Sequence, residues 1–341
     1  MSNILIIAPN WIGDAVMAEP LITEVKKLHP HSDVHVLATP WVASVMRAIP
    51  AVSKIISADL KHGLLQWAER KAIARKLAEE HYSHAYVLPN SLKSALIPWM
   101  AKIPHRIGYK GEMRWGLLNQ ILSNPSRSER PPMSSHYLAL AKRENVEIPH
   151  PQLTVHTDLS NSIKDKLQGL RSHEQLYILC PGAEYGPAKQ WPIEHFAELA
   201  KLLVNKQPNC LVLILGSKKE AALGEQIKNL SACSEHVINW CGETSLDEAM
   251  ASISLADEVI SNDSGLMHIA AALGRPQVAI FGSSDPRHTP PLSKKAKVHW
   301  LHLECSPCFK RVCPLGHTKC LVDISPKAVS YTHLTLPTIL L

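Results

Sequence analysis

The sequence predicts an α/β protein of two doubly wound units facing across a cleft, and three observations carry that expectation. Strand-like and helix-like segments alternate along most of the chain, the pattern of parallel sheets covered on both faces. The alternation falters once, around residues 123–160, where NPSRSERPP at 124–132 and IPHP at 148–151 are proline-rich breaks. With 341 residues, 45% of them hydrophobic, each half can bury a core of its own. The expected division is therefore 1–160 and 161–329.

Taken in order, apolar runs predict strands over 4–7, 34–37 and 85–88, with helices over 15–28 and 64–80 between them. After the break the rhythm resumes with strands over 176–179, 211–215, 236–239 and 257–260 and helices over 193–206, 218–229 and 245–254. A last helix begins at Leu266, repeats Ile269, Ala270 and Leu273 at helical spacing, and stops at Gly274 before Pro276. These are Rossmann-like halves, and ligands of such sheets sit beyond the carboxyl ends of the strands.

Composition excludes several classes. No apolar run is long enough to span a bilayer; the longest strand-like one, LVLIL at 211–215, is bounded as a buried strand. A strand follows Met1-Ser2-Asn3 at once, which leaves no room for a signal peptide and predicts a cytoplasmic protein. The formal charge of +6 and pI near 8.8 favour an anionic substrate or an acidic membrane surface. Nucleic acid is not expected as a partner, because the basic residues are spread; the densest group is Lys102, His105, Arg106, Lys110 and Arg114.

The most informative stretch is SNDSGLMH at 261–268, a strand running into a helix. Unpaired backbone N–H groups and the positive end of the helix dipole there point at whatever lies above Ser264 and Gly265, and Gly265 lets an anion approach closely. The alternative is that Asp263 or Ser264 is only an N-cap, worth about 1 kcal/mol. At the start of the second unit, after the strand over 176–179 and before a helix, CPGAEYGPAKQWP at 180–192 offers Gly182 and a compact point charge, Lys189, for the same phosphate. A solvated surface lysine is the alternative.

The first strand leads into APNWIGDAVM at 8–17, which is not G-x-G-x-x-G, and G-x-x-x-x-G-K-[ST] is absent, so dinucleotide oxidoreductases and P-loop NTPases are disfavoured. Asp14 stands at that strand's carboxyl end. It is either an N-cap or a general base for an acceptor hydroxyl, although a helix N-terminus opposes its basicity. The chain has no D-x-D pair, so a helix dipole and a lysine must stabilise a leaving diphosphate without a metal. Near the end, Cys305, Cys308, Cys313 and Cys320 follow C-x2-C-x4-C-x6-C with His317 inside. That spacing suits zinc; the alternative is a compact turn of packed or redox-sensitive thiols. Cys180, Cys210, Cys233 and Cys241 are expected in the core.

With these residues assembled, the chain resembles the ADP-heptose:lipopolysaccharide heptosyltransferases, from Ile4 to about Pro326. PNWIGDAVM at 9–17, KQWP at 189–192, NDSGLMH at 262–268 and the run from Cys305 carry the likeness. The resemblance implies a GT-B fold with an acceptor-binding first domain and a nucleotide-sugar-binding second domain. It further implies inverting, metal-independent transfer of L-glycero-D-manno-heptose from ADP-heptose to the first heptose of a heptose-Kdo2-lipid A acceptor at the cytoplasmic face of the inner membrane. No cofactor and no metal site are implied.

By the same resemblance Asp14 is the base and Lys189 binds diphosphate or heptose. Asp263 holds heptose hydroxyls, Ser264 and Gly265 present N–H groups, His268 lies close, and the turn with Thr244 and Ser245 lines the adenosine site beside Gly182. Lys93, Arg106, Lys110 and Arg114 form a basic strip for an anionic acceptor, with Trp99, Met100, Trp115, Leu117 and Leu118 at a lipid interface; a solvated charged face is the alternative. Residues 330–341 depart from the family pattern and are expected to be a foreign terminus. Rival readings are a GT-B enzyme for another nucleotide sugar and, in a different class, a zinc-containing nucleic-acid-binding protein.

Overall fold

The computed structural model describes residues 2–61, 63–126, 129–142, 147–170 and 172–331. The atypical terminus from 332 onward lies outside the described residues. By its contacts the chain divides into two compact units, Met1–Thr154 and Val155–Leu341. The division falls ahead of a single helix, Thr157–Leu170, which belongs wholly to the second unit.

The first unit carries strands β1 (Asn3–Ile7), β2 (Val34–Ala38), β3 (Lys54–Ser57), β4 (Tyr82–Val87), β5 (His105–Tyr109) and β6 (Gln120–Leu122). Its helices are α1 (Ile12–Met17), α2 (Glu19–Leu28), α3 (Pro40–Arg47), α4 (Trp67–Ala78), α5 (Leu92–Met100) and α6 (Met133–Leu138). The single helix expected over 15–28 is two, because Ala18 closes α1 and Pro20 sits in the first turn of α2, where a missing N–H costs nothing. All strand pairs are parallel, in the order β3-β2-β1-β4-β5-β6.

The second unit carries β7 (Gln175–Cys180), β8 (Cys210–Ile214), β9 (Val237–Asn239), β10 (Glu258–Asn262), β11 (Gln277–Phe281) and β12 (Ala296–Trp300). Its helices are α7 (Thr157–Leu170), α8 (Ile193–Lys206), α9 (Ala221–Ser231), α10 (Leu246–Leu255), α11 (Gly265–Ala272), α12 (Lys319–Val322) and α13 (Pro326–Tyr331). The order β12-β11-β10-β7-β8-β9 is again all parallel, and renumbered within the unit it has the same connectivity as the first sheet. Both match the 3-2-1-4-5-6 order of dinucleotide-binding sheets, whose topological switch point lies between the first and fourth strands.

Continuous apolar composition explains the central strands. Leu211, Val212, Leu213 and Ile214 of β8 are fully buried because helices cover both faces, and each such side chain contributes about 1.5–3 kcal/mol relative to an exposed one. In α8, Phe196, Leu199, Ala200 and Leu203 recur on the buried face while Glu194, Glu198 and Lys201 stay in solvent. Trp191, 1% exposed, packs edge-on against Phe196 and donates its indole N–H to the Ile324 carbonyl at 2.9 Å, tying the end of the chain to this core. Val329 of α13 is buried there too.

Candidate active site

The switch point of the second sheet lies between β7 and β10, and the motif residues gather at the carboxyl ends of these strands and their neighbours. Asn262, the last residue of β10 and fully buried, accepts a hydrogen bond from the Trp191 backbone N–H at 3.1 Å and donates to the Pro181 carbonyl at 2.7 Å. One amide thus binds both ends of the 181–191 loop to the strand that carries the next motif. Within that loop Lys189 closes a short 3-10 turn, Pro187–Lys189. Its ammonium donates to Asp263 Oδ2 at 2.5 Å and lies 5.0 Å from the Tyr185 ring centroid.

Asp263 is not a helix cap. Its side chain, 4% exposed, faces Lys189 and accepts a second hydrogen bond from the Ser284 hydroxyl at 2.5 Å. Ser264 takes the N-cap position of α11, yet its side chain makes no capping bond; its hydroxyl stands 3.1 Å from that of Ser261. The first turn of α11, beginning at Gly265, is therefore left without a side-chain acceptor. His268, one turn further on and 5% exposed, is pushed down to about 4 by burial, a little relieved by Asp263 and reinforced by Lys189. It is neutral at physiological pH.

Gly182 ends the first loop turn under the Glu220 carboxylate. A Cβ there would lie 1.8 Å from Glu220 Oε1. Glu220 is held in place by the backbone N–H of Ser217, which donates to Oε2 at 2.6 Å. At the next turn Gly242 has φ +81°, and a side chain would meet the Lys218 backbone at 2.7 Å. Ser245 is exposed and forms a capping box with Glu248 at the start of α10, so its groups serve that helix; Thr244 beside it is half-buried.

In the first unit, Asp14 lies in the first turn of α1, directly after β1. The N-cap of α1 is Trp11, so the capping alternative for Asp14 does not hold. Its charge reaches Tyr137 in α6: burial first, then Asp14, raises that phenol well above its ordinary range. Trp11 and Trp41 are 50% and 45% exposed, and the Trp41 indole donates to the Asn10 carbonyl at 2.8 Å, so two indoles stand beside the Asp14 turn.

The expected basic strip does not form as a set. Arg114 is 2% exposed; its guanidinium donates to the carbonyls of Pro89 and Tyr109 and to the Asn90 side chain. Arg106 lies in the amino-terminal half of β5, away from the switch-point end, and donates to the Leu117 and Ile103 carbonyls, both at 2.6 Å. Both arginines organise backbone. Lys93 is half-buried, with its ammonium 3.4 Å from the Leu64 carbonyl, and Lys110 is exposed just after β5. Leu118 is buried in the core rather than at an interface, while Trp99 and Trp115 are 43% and 63% exposed.

Asn262, Ser284, Tyr185 and Glu220 were not among the expected site residues. Asn262 lies inside the NDSGLMH motif, and Ser284 comes after Gly282-Ser283 just past the end of β11, a run of small residues that marks a turn. Among the described residues no helix is long and apolar enough to cross a membrane.

Two all-parallel sheets of this order, with an uncapped helix, a lysine and a glycine turn collected at one switch point, are the architecture of the GT-B glycosyltransferases. The profile of glycosyltransferase family 9 (heptosyltransferase) matches residues 70–319. Lipopolysaccharide heptosyltransferase 2 of Salmonella typhimurium strain LT2 is 40% identical over 341 aligned residues, covering 96% of both chains. The enzyme of the same name from Escherichia coli K12 is 39% identical, with 96% of each chain covered. The solved structure of E. coli ADP-heptose lps heptosyltransferase II superposes with a TM-score of 0.83 at 36% identity, over 96% of each chain. The chain belongs to glycosyltransferase family 9, the heptosyltransferases.

Proposed function

We propose that this glycosyltransferase moves L-glycero-D-manno-heptose from ADP-heptose to the first heptose of the lipopolysaccharide inner core, with inversion at the anomeric carbon. The observation that carries the reading is the Lys189–Asp263–Ser284 network beside the uncapped start of α11, in a chain that aligns end to end with lipopolysaccharide heptosyltransferases 2. The diphosphate sits on the α11 N-terminus with Lys189 as counter-ion, and the Thr244–Ser245 turn lines the adenosine. Asp263 accepts from heptose hydroxyls. His268, kept neutral by burial, adds no charge that would hold the product ADP.

Asp14 removes the proton of the acceptor hydroxyl. That oxygen forms a bond to the anomeric carbon as the bond from this carbon to the β-phosphate oxygen breaks, and ADP leaves with the electron pair. Lys93 and Lys110 meet the anionic core of the acceptor, and the exposed Trp99 and Trp115 rest at the inner-membrane surface that presents it.

The test is transfer by purified protein with heptose-Kdo2-lipid A as acceptor. ADP-heptose supports product formation, and the new linkage, read by NMR, has the anomeric configuration opposite to that of the donor. Retained configuration would refute the single displacement through Asp14, and turnover with UDP- or GDP-sugars in preference to ADP-heptose would refute the donor.

A further inference from the structure

Cys305, Cys308, Cys313 and Cys320 line one cavity of about 20 Å³, with Ala188 and Ser283 on its inner wall. A space of that size admits a single water-sized sphere. None of the four thiols is in a disulfide, and Cys305, Cys308 and Cys313 all lie within electrostatic range of Cys320. The backbone N–H groups of Thr318, Leu315, Gly316 and His317 are directed at the Cys313 sulfur. Gly316 at φ +72° and Thr318 at φ +44° bend the chain to do so. Successive N–H groups wrapped around one sulfur form the kind of nest that stabilises a thiolate at metal centres. Cys305, Cys308 and Cys313 are only half-buried, unlike Cys180, Cys210 and Cys241 in the core.

Residues 301–318 form no helix or strand, a long irregular run for a compact domain, and Val312 and Leu315 expose 66% and 60% of their surface instead of packing. Yet this segment seats the Lys189 loop. The Tyr185 hydroxyl donates to the Phe309 carbonyl at 2.8 Å, and the Ala188 N–H donates to the Arg311 carbonyl at 3.1 Å. The Phe309 N–H donates to the Ser283 carbonyl at 2.7 Å, next to the serine that holds Asp263. Gly186 lies against the Arg311 carbonyl, where a Cβ would come within 2.6 Å.

We propose that Cys305, Cys308, Cys313 and Cys320 bind one zinc ion as a tetrathiolate, and that this ion clamps residues 308–313 and so positions Lys189 and Ser284. Four sulfur donors select zinc over hard divalent cations. As the side chains stand, no group of three or more His, Cys, Asp or Glu among the described residues is arranged to hold a metal ion, the four cysteines included. Binding therefore turns the thiols about χ1 into the shared cavity, and the four thiol protons pass to solvent.

The experiment is elemental analysis of protein purified under reducing conditions without chelator, with cobalt(II) replacement as a second readout. The expected result is about one zinc per chain, and sulfur-to-cobalt charge-transfer absorption after exchange. Cys313→Ser and Cys305→Ser lose both signals, whereas Cys233→Ser, outside the cavity, keeps them. Chelation lowers the unfolding temperature and raises the KM for donor while leaving the KM for acceptor unchanged. The metal readouts do not depend on the identity of the sugar; only the donor KM rests on the function proposed above. Four reduced, titratable thiols with no zinc bound and no cobalt band would overturn the site, even if the serine variants failed to fold. Iron in place of zinc, or a disulfide within the quartet, would overturn the assignment to zinc.

Discussion

Replacing Lys189 by methionine removes the cation that faces the Asp263 carboxylate while keeping most of the side-chain volume. The two groups are 2.5 Å apart, with side chains 17% and 4% exposed, so the carboxylate is the more deeply buried partner. Losing one member of a buried pair costs about 3–5 kcal/mol, because the other is left as an uncompensated charge. Ser284 still donates to Asp263, which places the expected loss for Lys189→Met nearer about 3 kcal/mol, a fall of about 6–12 °C in the unfolding temperature for a unit of this size. Asp263→Asn leaves behind a lysine with more access to water and costs less. The double variant recovers most of the Lys189→Met loss, so the cycle yields a coupling of about 2 kcal/mol or more. Urea unfolding of the four proteins, followed by tryptophan fluorescence, measures it. Coupling within about 0.5 kcal/mol of zero would show that the pair is a solvated contact and remove its role in shaping the site.

Asp14→Asn is expected to lower kcat by about 10²–10⁴-fold with little change in donor KM, read from initial rates; normal turnover would exclude the base. Arg114→Lys cannot satisfy Pro89, Asn90 and Tyr109 together and should destabilise the first unit by about 2–3 kcal/mol, seen as earlier cleavage in limited proteolysis. Glu258 tests a pH dependence: burial, offset in part by Lys297 and Lys206, pushes its carboxyl from 4.5 up to about 7. The folded state then binds more protons than the unfolded one between these values. Stability is full below about 4.5, falls as pH rises, and bears the whole penalty, about 3 kcal/mol, above about 7. Glu258→Gln should accordingly stabilise the protein at pH 8 and gain little at pH 4.5, and a pH-independent difference in urea midpoints would contradict it.

Much of this architecture was legible because parallel strands covered on both faces are written as apolar runs, as in β1, β7 and β8. The strands not expected were the edges β3, β6 and β12 and the interior β5 and β11, whereas the edge strand β9 was expected over 236–239. β3, with the pattern Lys54-Ile55-Ile56-Ser57, and the three-residue β6 are short and partly exposed, and β12 mixes lysine and histidine with its apolar residues. The motif residues could be placed at strand ends by order alone, but their partners could not. Nothing local to NDSGLMH announces that Ser284, just beyond β11, reaches Asp263. The arginines misled for a related reason: a charge count does not reveal whether five donors face solvent or backbone carbonyls, and for Arg114 the burial of its whole side chain decided it.

The two sheets share one connectivity, so the chemistry each supports depends on the turns at the carboxyl ends of its first and fourth strands. After β7 come glycines and Lys189; after β10 comes a helix whose first turn no side chain caps. After β1 comes Trp11, then a six-residue helix with a carboxylate in its first turn. The first arrangement attracts an anion and the second repels one. Lys189, however, is already engaged by Asp263, so its charge is largely spent before any donor arrives. In the binding mode proposed above, the initial attraction for a diphosphate then comes from the N–H groups of the first turn of α11, which the Ser264 side chain does not cap. An ammonium has three donors, so Lys189 can keep one hydrogen bond to Asp263 while another turns to phosphate. If Lys189 binds the diphosphate as proposed, the carboxylate holds the lysine in place beforehand, and part of the ordering cost is met in the unliganded protein.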